Sequence, residues 1–379
     1  MKKTLVALAA LATVGAAFAQ STVTLYGRVD VNLTGFTQKT GGVKTPDNNV
    51  GAQLATGNAF GETGSRWGLK GAEDLGGGMK AIFQLENGFA ADTGGIQQVG
   101  RMFGRQAYVG VSGGFGTVTF GRQYSPLDSI WGAYDAQSYY TSAPIGYAWN
   151  NGPQNYGSTA PLVGVHNDAG RINNAIMYAT PAMSGFSGAL MWAPGENKNP
   201  VLGNGASRYW GFNAQYANGP IGVGLGYEST NYKSAPVSAS MSNWTLGGQY
   251  DFGVAKLYAM YERGRSDLPA GLTFATNATN GIGAGAGGVA TGPGVDRGWD
   301  IGVNVPVGAA TVGVSYAYER TTATGAGVSG KNKAIGANVN YSLSKRTTVY
   351  AIILDGSSTT AANVRTRNNA YSLGLRHEF

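Results

Sequence analysis

Apolar and polar residues alternate with a period of two in many short segments of this chain. In residues 221–228, for example, isoleucine, valine, leucine and tyrosine occupy one parity, and glycines and a glutamate occupy the other. Successive side chains of a β-strand point to opposite faces, so this alternation predicts strands with one apolar and one polar face. Helical periodicity is almost absent, and the pattern therefore predicts an all-β fold.

The parity test predicts sixteen strands, an even number that suits a closed antiparallel barrel. The predicted segments run approximately over 22–34, 63–72, 78–90, 101–113, 115–122, 171–182, 184–194, 208–217, 220–231, 242–252, 254–264, 297–306, 309–321, 332–344, 346–356 and 368–379.

Parity alone does not decide between a sandwich in water, whose apolar faces point inward, and a membrane barrel, whose apolar faces point outward. Three features favour the barrel: aromatic residues toward the strand ends, segments of about ten residues, and alternation of short with long connections. We therefore predict a 16-stranded antiparallel transmembrane β-barrel.

Connections such as "EDLGGG" and "SLSK" are predicted to be tight turns at one rim of the barrel. Long loops are predicted at the other rim, over residues 35–62, 123–170, 265–296 and 357–367. In a closed barrel the last strand, which ends at Phe379, pairs with the first strand, so that no sheet edge is exposed.

Residues 1–19 have the pattern of a secretory signal peptide. Lys2 and Lys3 precede an apolar run over residues 5–12, and a small-residue cleavage site follows at residues 17–19. The alternative, a membrane anchor, fits less well because the apolar run is too short. We expect cleavage to leave residues 20–379 as one outer-membrane barrel domain of 360 residues (379 − 19).

Composition narrows the class further. The chain has no cysteine, which excludes a small disulfide-stabilised scaffold. No stretch after Ala19 approaches the roughly 18 consecutive apolar residues of a spanning helix. The formal net charge is +7, and 25 basic against 20 acidic residues remain after removal of Lys2 and Lys3. This charge is mild and without dense basic clusters, so no nucleic-acid partner is expected.

Catalytic ingredients are sparse. His166 and His377 are the two histidines, and His377 falls on the apolar parity of the last predicted strand. His166 stands near Asp168 in a predicted loop, a proximity that is common by chance. No spacing typical of metal ligands or phosphate loops occurs, so we expect neither an enzyme nor a bound cofactor or metal.

Four motifs occur in order along the whole chain: "STVTLYGRVDVNL", "SRWGLKGAEDLGGGMKAIFQLE", "GRQAYVGVSGGFGTVTFGRQYSPLD" and the final "LGLRHEF". Together they resemble the general trimeric porins of Gram-negative bacteria, particularly the betaproteobacterial branch. The resemblance implies a trimer of barrels in the cell outer membrane, each an independent water-filled channel narrowed by an inward-folded third loop. It also implies that Phe379 belongs to a C-terminal signal for the outer-membrane assembly machinery.

Strand parity places four basic residues in the channel, one of them Lys70 on the second strand. Arg28 and Arg66 fall on the polar faces of the first two strands. Arg171 is assigned inward because Ile172 and Ile176 are expected to face lipid. These arginines match the basic wall positions of the porin family, and the alternative is that they are solvated wall residues with local counterions.

Arg105 is assigned to the same basic wall on the resemblance, because parity would then turn Val109 inward and Gln106 outward. An arginine at the hydrocarbon midplane would cost roughly 2–4 kcal/mol, which disfavours the opposite orientation. The parity of Arg122 at a strand end stays undecided.

The resemblance also implies acidic residues on the third loop that face the arginines. Asp128 and Asp135 are the candidates, and Asp168 is a further acidic residue of this loop. The Pro-Glu-Phe-Gly stretch of enterobacterial relatives is absent. The alternative for Asp128 is structural, because "SPLDSIWGAYD" has the pattern of a short helix capped by Ser125.

Aromatic residues are frequent in the third loop. Loop packing is the simpler explanation, and a surface on which sugars stack is the alternative; the residues are Trp131, Tyr134, Tyr139, Tyr140, Tyr147 and Trp149.

These features predict a general diffusion porin for small hydrophilic solutes and ions, with a mild anion preference set by the arginines. The resemblance implies further partners: two identical subunits, outer-membrane lipid with lipopolysaccharide, and the assembly machinery. A substrate-specific channel, an adhesin or a receptor is the alternative. Residues 276–294 within the predicted loop 265–296 are rich in Gly, Ala, Thr and Asn, which favours mobility over a preformed binding surface.

Overall fold

The computed structural model describes residues 22–44, 53–56, 62–137, 143–149, 170–194, 206–234, 237–267, 293–323 and 329–379. Its sixteen long strands are β1 (Thr22–Thr40), β2 (Arg66–Gly76), β3 (Met79–Gly88), β4 (Gln106–Gly113), β5 (Gly116–Tyr124), β6 (Arg171–Ala179), β7 (Phe186–Ala193), β8 (Ala206–Asn218), β9 (Ile221–Ser234), β10 (Val237–Asp251), β11 (Lys256–Ser266), β12 (Gly294–Val307), β13 (Ala310–Ala323), β14 (Gly330–Ser342), β15 (Thr347–Thr360) and β16 (Arg365–Glu378). The helices in these ranges are α1 (Gln97–Gly100), α2 (Pro126–Tyr134) and α3 (Pro144–Trp149). The predicted signal peptide, residues 1–19, lies outside the described ranges.

Each long strand pairs antiparallel with its neighbours in the sequence, and β16 pairs with β1, so the sheet is closed. Residues Thr22–Arg28 of β1 pair with β2, and residues Arg28–Thr40 of β1 pair with β16. Next to the Arg28–Glu378 pair, Phe379 and Gly27 exchange two backbone hydrogen bonds of 3.1 Å. The predicted closure of the barrel by its first and last strands is therefore confirmed.

The outer surface of the barrel is apolar. Leu246, Leu190 and Val223 are 51%, 55% and 45% exposed, whereas Thr245 on the inner face beside Leu246 is 0% exposed. Aromatic pairs such as Trp210–Tyr227 lie toward the rim with the long loops, and pairs such as Phe186–Tyr216 lie toward the other rim. This inverted pattern, with girdles of aromatic residues at both ends, is that of a barrel embedded in lipid. Within the described residues, no helix is long and apolar enough to cross a membrane.

Several predicted boundaries are wrong. The first predicted strand, 22–34, continues to Thr40, and Val43–Lys44 and Gln53–Thr56 of the predicted loop 35–62 pair with β1. Residues 357–367 were expected to form a long loop, but β15 and β16 continue through them, with Ser357 opposite Arg367 and Thr359 opposite Arg365. The sequence of this hairpin shows no alternation of apolar and polar residues, because both faces of a strand are in contact with water beyond the lipid. The predicted strand 101–113 begins instead at Gln106, after a segment that folds over the outer face of the wall. Phe103 packs there against the outward ring of Trp67 at 6.3 Å.

The third loop folds into the barrel. It begins with α2, where the Ser125 hydroxyl accepts a hydrogen bond of 3.1 Å from the Asp128 amide and Pro126 occupies the first turn. The predicted capped helix is thus confirmed. Apolar side chains of α2 are buried against β8–β11, and α3 contacts β13–β15.

A row of polar side chains on the inner face of the wall holds the loop. Buried carbonyl groups without a partner are costly, and these side chains supply the missing hydrogen bonds. The contacts are Asn213 to Pro126 O (2.8 Å), Asn304 to Ala136 O (2.5 Å), Asn332 to Ala148 O (3.2 Å), Asn368 to the Tyr147 hydroxyl (2.8 Å) and the Trp131 indole to Thr245 (3.1 Å).

Inward-facing glycines form the seat of the loop. A Cβ atom on Gly247 would lie 2.6 Å from the Tyr134 ring, and one on Gly356 would lie 2.4 Å from the Tyr147 ring. Gly224 and Gly226 leave similar space beneath α2. These glycines are therefore required for close approach of the loop to the wall, in addition to the strand twist and turns that glycine-rich sequence indicates.

Residues 62–65 close the seam of the barrel where β1 and β2 no longer pair. Asp30 of β1 is 0% exposed and accepts hydrogen bonds from the Tyr350 hydroxyl at 2.6 Å and the Thr63 amide at 2.9 Å. The Ser65 hydroxyl accepts from the Asp30 amide at 3.0 Å and donates to the Asp30 carbonyl at 3.1 Å. We call residues 62–65 and Asp30 the seam clasp.

Glu62 of the seam clasp is a buried carboxyl group that we expect to make the stability of the barrel depend on pH. It precedes β2, is 0% exposed and forms an ion pair with Arg376. Burial is the main cause that raises the pKa of Glu62 to about 7; Arg376 opposes the rise and Asp30 adds to it. Because this pKa is higher than the 4.5 of an ordinary glutamate, the contribution of Glu62 to stability is fully present below about pH 4.5 and is lost as the pH rises through about 7.

We expect the melting temperature of the wild-type barrel to fall between pH 5 and pH 8, by a free energy of up to about 3 kcal/mol from Glu62. Glu62→Gln should remove this part of the pH dependence because the amide does not ionise. Glu378→Gln is the matched control, since it changes an exposed neighbour of Arg376. The prediction would be wrong if the melting temperatures of wild type and Glu62→Gln changed by the same amount between pH 5 and pH 8.

Candidate functional site

The four arginines expected at the channel wall lie within the first six strands of the barrel. Arg28 is on β1 and is the direct cross-strand partner of Arg66, the first residue of β2. Arg105 stands one residue before β4, and Arg171 is the first residue of β6. We call these four residues the arginine row. The fold brings together, on one side of the barrel, residues that are up to 143 positions apart (171 − 28).

Arg105 and Arg171 converge on one phenol group. Arg105 donates to the Tyr124 hydroxyl at 2.6 Å, and Arg171 donates to the same oxygen while its guanidinium lies 4.3 Å from the Tyr124 ring centre. Arg105 also forms an ion pair of 2.7 Å with Glu86. Glu86 accepts a hydrogen bond of 3.0 Å from Tyr26, on the inner face of β1. The contacts fix the directions of both guanidinium groups.

The parity conflict at Arg105 disappears because this residue precedes the strand. β4 begins at Gln106 and keeps strict alternation from there, with Val109 57% exposed on the outer face. Tyr108 points inward and donates to Gln84 at 2.8 Å. Arg105 therefore reaches Glu86 without turning Val109 into the channel.

The assignment of Ile172 to the outer face is wrong. Ile172 is 1% exposed and packs in the interior with Met191 and Tyr209, whereas Ile176 is 40% exposed on the outer face. A β-bulge between them changes the parity: Asn174 has a φ of 53°, and the register with β5 shifts by one residue. Such bulges are common at the rims of barrels, and they change the direction of the side chains that follow. Strict parity does not anticipate this change.

Arg122, whose parity was undecided, is outside the arginine row. Its guanidinium donates to the Gly104 carbonyl at 2.7 Å and to the side chain of Asn173. It is 7% exposed, so it fastens the segment before β4 to the wall.

The two candidate acids of the third loop lie in different surroundings. Asp128 is partly exposed in the first turn of α2 and interacts electrostatically with Arg171. Asp135 is 1% exposed and faces the wall near Asp300, so it does not meet the expectation of an acid exposed to the water gap. Asp135 follows the last residue of α2, and its backbone amide donates to the Trp131 carbonyl at 3.1 Å. Asp168 and His166 lie outside the described residues.

Sequence reasoning missed a cluster of acids on the wall opposite the arginine row. All are at most 1% exposed on the inner face beneath the third loop: Glu262 on β11, Asp296 and Asp300 on β12 and Glu319 on β13. Their inward parity was available as a signal, since each alternates with an outward residue such as Tyr261, Arg297 or Trp299. In the described ranges, no group of three or more acids or histidines is arranged to hold a metal ion.

The loop aromatics that the structure describes serve packing. Trp131, Tyr134 and Tyr147 are at most 3% exposed and lie against the wall, so they do not offer stacking faces to solutes. Tyr139, Tyr140 and the side chain of Trp149 lie outside the described part of the loop.

Comparison with known proteins identifies the family. The family profile described as Gram-negative porin matches residues 4–361. The chain belongs to the Gram-negative porin family. An outer membrane porin of Bordetella pertussis is 32% identical to this porin over 100% of both chains. Outer membrane porin protein 32 of Delftia acidovorans is 32% identical over 92% of this chain and 88% of its own.

Solved structures agree with the fold. The anion-selective porin from Comamonas acidovorans has 27% sequence identity and a TM-score of 0.72, with 95% of this chain and 100% of that chain covered. The chain is thus a porin of the Gram-negative cell outer membrane, and its barrel is a channel for passive diffusion of small hydrophilic solutes and ions rather than an enzyme.

Proposed function

We propose that this porin is a general diffusion channel with a mild preference for anions, and that the arginine row sets this preference. Fixed positive charges beside a narrow aqueous path lower the energy of a passing anion and raise that of a cation. The acids on the opposite wall are covered by the third loop, which reduces their influence on solutes. The relative from Comamonas acidovorans is described as anion-selective, which supports the proposal.

The proposal rests on the surroundings of the Arg66 side chain. Glu378 pairs with Arg28 at 2.9 Å, and Glu86 pairs with Arg105 at 2.7 Å. Arg66, by contrast, makes no hydrogen bond or ion pair through its side chain with any described residue. No direct contact therefore holds the Arg66 guanidinium, although Glu86 lies close enough to interact with it electrostatically, and its charge is available to a passing anion.

Arg66→Gln should reduce the permeability ratio of chloride to potassium about threefold. Once salt screens it, a unit charge about 6 Å from the ion path contributes roughly 0.35 kcal/mol to each ion. The sign is opposite for chloride and potassium, so the difference between the two ions is about 0.7 kcal/mol, which corresponds to this factor. The measurement is the reversal potential of the purified porin in a planar bilayer under a potassium chloride gradient. A wild-type channel that prefers cations would overturn the proposal.

Lys70→Gln provides a matched control on the same face of the same strand. Lys70 lies four residues from Arg66, about 13 Å along β2, with its amine 5.2 Å from the Tyr26 ring centre. We expect a smaller change in selectivity, because this charge is farther from the arginine row. Equal effects of both substitutions would show that net channel charge, not the row, sets the preference.

The proposed assembly is a homotrimer, as the likeness to trimeric porins suggests. We further infer that lipopolysaccharide surrounds the barrel and that the assembly machinery recognises the last strand through Phe379. Phe379 supports this role because its ring lies against the Cα of Gly27, where a Cβ would be 2.5 Å from the ring. Phe379 is thus part of the closing seam, and it is 44% exposed.

A further inference from the structure

Six basic side chains project outward from adjacent strands at the rim with the long loops. All are exposed and share the parity of the lipid-facing residues on their strands. They are Arg263 and Arg265 on β11, Arg297 on β12, Arg320 on β13, and Lys331 and Lys333 on β14.

Four of these residues form an unbroken line across the sheet. Arg263 is the direct partner of Arg297, Arg297 of Arg320, and Arg320 of Lys331. With strands about 4.8 Å apart, the line spans about 14 Å. We call it the outer basic row. Like charges directly opposite one another on a sheet are destabilising, so this arrangement needs an anion from outside to be favourable.

Among the residues that the structure describes, none acts as a counterion for the outer basic row. None of its four side chains forms an ion pair or hydrogen bond with the residues that the structure describes. Segments 268–292 and 324–328, which join these strands, contain neither Asp nor Glu. The acids nearby are directed elsewhere: Glu262, Asp296 and Glu319 are 0% exposed on the inner face, and Asp267 binds Ser240 at 2.8 Å.

The outer basic row lies at the height of lipid headgroups. Tyr261, Trp299 and Tyr318 form the adjacent cross-strand row, two residues nearer the middle of the barrel. Such aromatic residues mark the boundary between hydrocarbon and headgroups. A separation of two residues is about 7 Å along a strand, so the guanidinium groups begin where the hydrocarbon ends.

We propose that the outer basic row binds the phosphorylated headgroup of an anionic glycolipid in the outer leaflet. Guanidinium groups bind phosphate through paired, charge-assisted hydrogen bonds, and a line of them suits a headgroup with more than one phosphate. The aromatic row below would contact the acyl chains of the same lipid. The outer basic row would be the site at which the lipopolysaccharide proposed above contacts the barrel, and the proposal rests on that lipid partner. It does not depend on the ion selectivity of the channel.

The test compares two triple variants of the full-length porin. Arg263→Gln/Arg297→Gln/Arg320→Gln neutralises the row, and Lys80→Gln/Lys345→Gln/Arg346→Gln removes three exposed charges at the opposite rim as a matched control. The probe is purified lipopolysaccharide, titrated against each detergent-solubilised protein, with dephosphorylated lipopolysaccharide and inorganic phosphate as further arms. Melting temperature and channel conductance report whether each variant is folded.

We expect the row variant to bind lipopolysaccharide on the order of 100-fold more weakly than wild type, because each surface charge contributes several-fold to binding of anionic lipid. The control variant should bind like wild type, and dephosphorylated lipopolysaccharide should bind weakly to all three proteins. Unchanged binding by the row variant, or equal loss in both variants, would overturn the proposal. Tight binding of inorganic phosphate that blocks the lipid would also overturn it and indicate a free-anion site.

The conductance measurement separates this inference from the proposed channel selectivity. The outer basic row faces away from the channel, so the row variant should keep wild-type conductance and reversal potential. A changed reversal potential with intact lipid binding would overturn the assignment of these side chains to the lipid face. Failure of the Arg66 experiment would leave the lipid result unaffected.

Discussion

Gly247→Ala is expected to displace α2 from the barrel wall and lower the single-channel conductance. The new methyl group would lie 2.6–2.7 Å from three atoms of Tyr134, well inside van der Waals contact. Restoring ordinary carbon contacts requires a movement of about 1 Å, which costs about 1–3 kcal/mol in a packed site. The wall behind Gly247 is a closed hydrogen-bonded sheet, so the loop moves toward the channel and narrows it.

The adjacent glycine provides the control. Gly248 faces the opposite side of β10, where a Cβ would meet its nearest atoms at 3.6 and 3.8 Å, which is ordinary contact. Gly248→Ala should therefore leave conductance unchanged, although it makes the same chemical change one residue away. Bilayer recordings of both variants compare them directly, and equal conductances for the two would contradict the seating of the loop on glycines.

Asp30→Ala is expected to destabilise the barrel by about 3–5 kcal/mol, because it removes the acceptor at the centre of the seam clasp. The Tyr350 hydroxyl and the Thr63 amide would lose a buried partner, and Arg376 would lose a neighbouring negative charge. The residues that bridge the gap between β1 and β2 would then detach. The measurement is the temperature at which the folded barrel loses its heat-modifiable mobility on an electrophoresis gel.

Asp355→Ala is the control for the loss of a carboxylate near the same seam. Asp355 binds Arg367 at the surface, where the arginine side chain is 54% exposed and the aspartate 34%. Exposed ion pairs contribute about 0–1 kcal/mol, so a small effect is expected. A melting temperature for Asp30→Ala equal to that of Asp355→Ala would show that the clasp does not hold the seam.

Most of the barrel was predictable because its strands obey one rule. Lipid demands an apolar outer face on every strand, and backbone hydrogen bonds demand closure, so the alternation around Trp210 and Leu246 indicates both strand and orientation. The rule fails where lipid no longer imposes it. At the extracellular rim, polar residues such as Ser357 and Arg367 extend a hairpin that alternation does not mark.

The candidate site was predictable in part, for the same reason. Arg28 and Arg66 stand within regular alternation, and their side chains follow from parity. Arg105 and Ile172 do not: Arg105 precedes its strand, and the positive φ of Asn174 breaks the alternation next to Ile172. The helix of the third loop was readable from Ser125, Pro126 and Asp128, because a cap is a local hydrogen bond.

The sequence by itself determined the strands, the face that each presents to lipid, the closure of the sheet and the capped helix, since these depend on neighbours in the chain. Only the tertiary structure decided where the third loop lies on the wall and which charged side chains form ion pairs. It also decided that Gly247 admits the Tyr134 ring and that Asn213 donates a hydrogen bond to the loop. Such contacts join residues far apart in sequence, and their register depends on the closed barrel as a whole. The outer basic row illustrates the difference, because parity turns each cation outward and only cross-strand register aligns them.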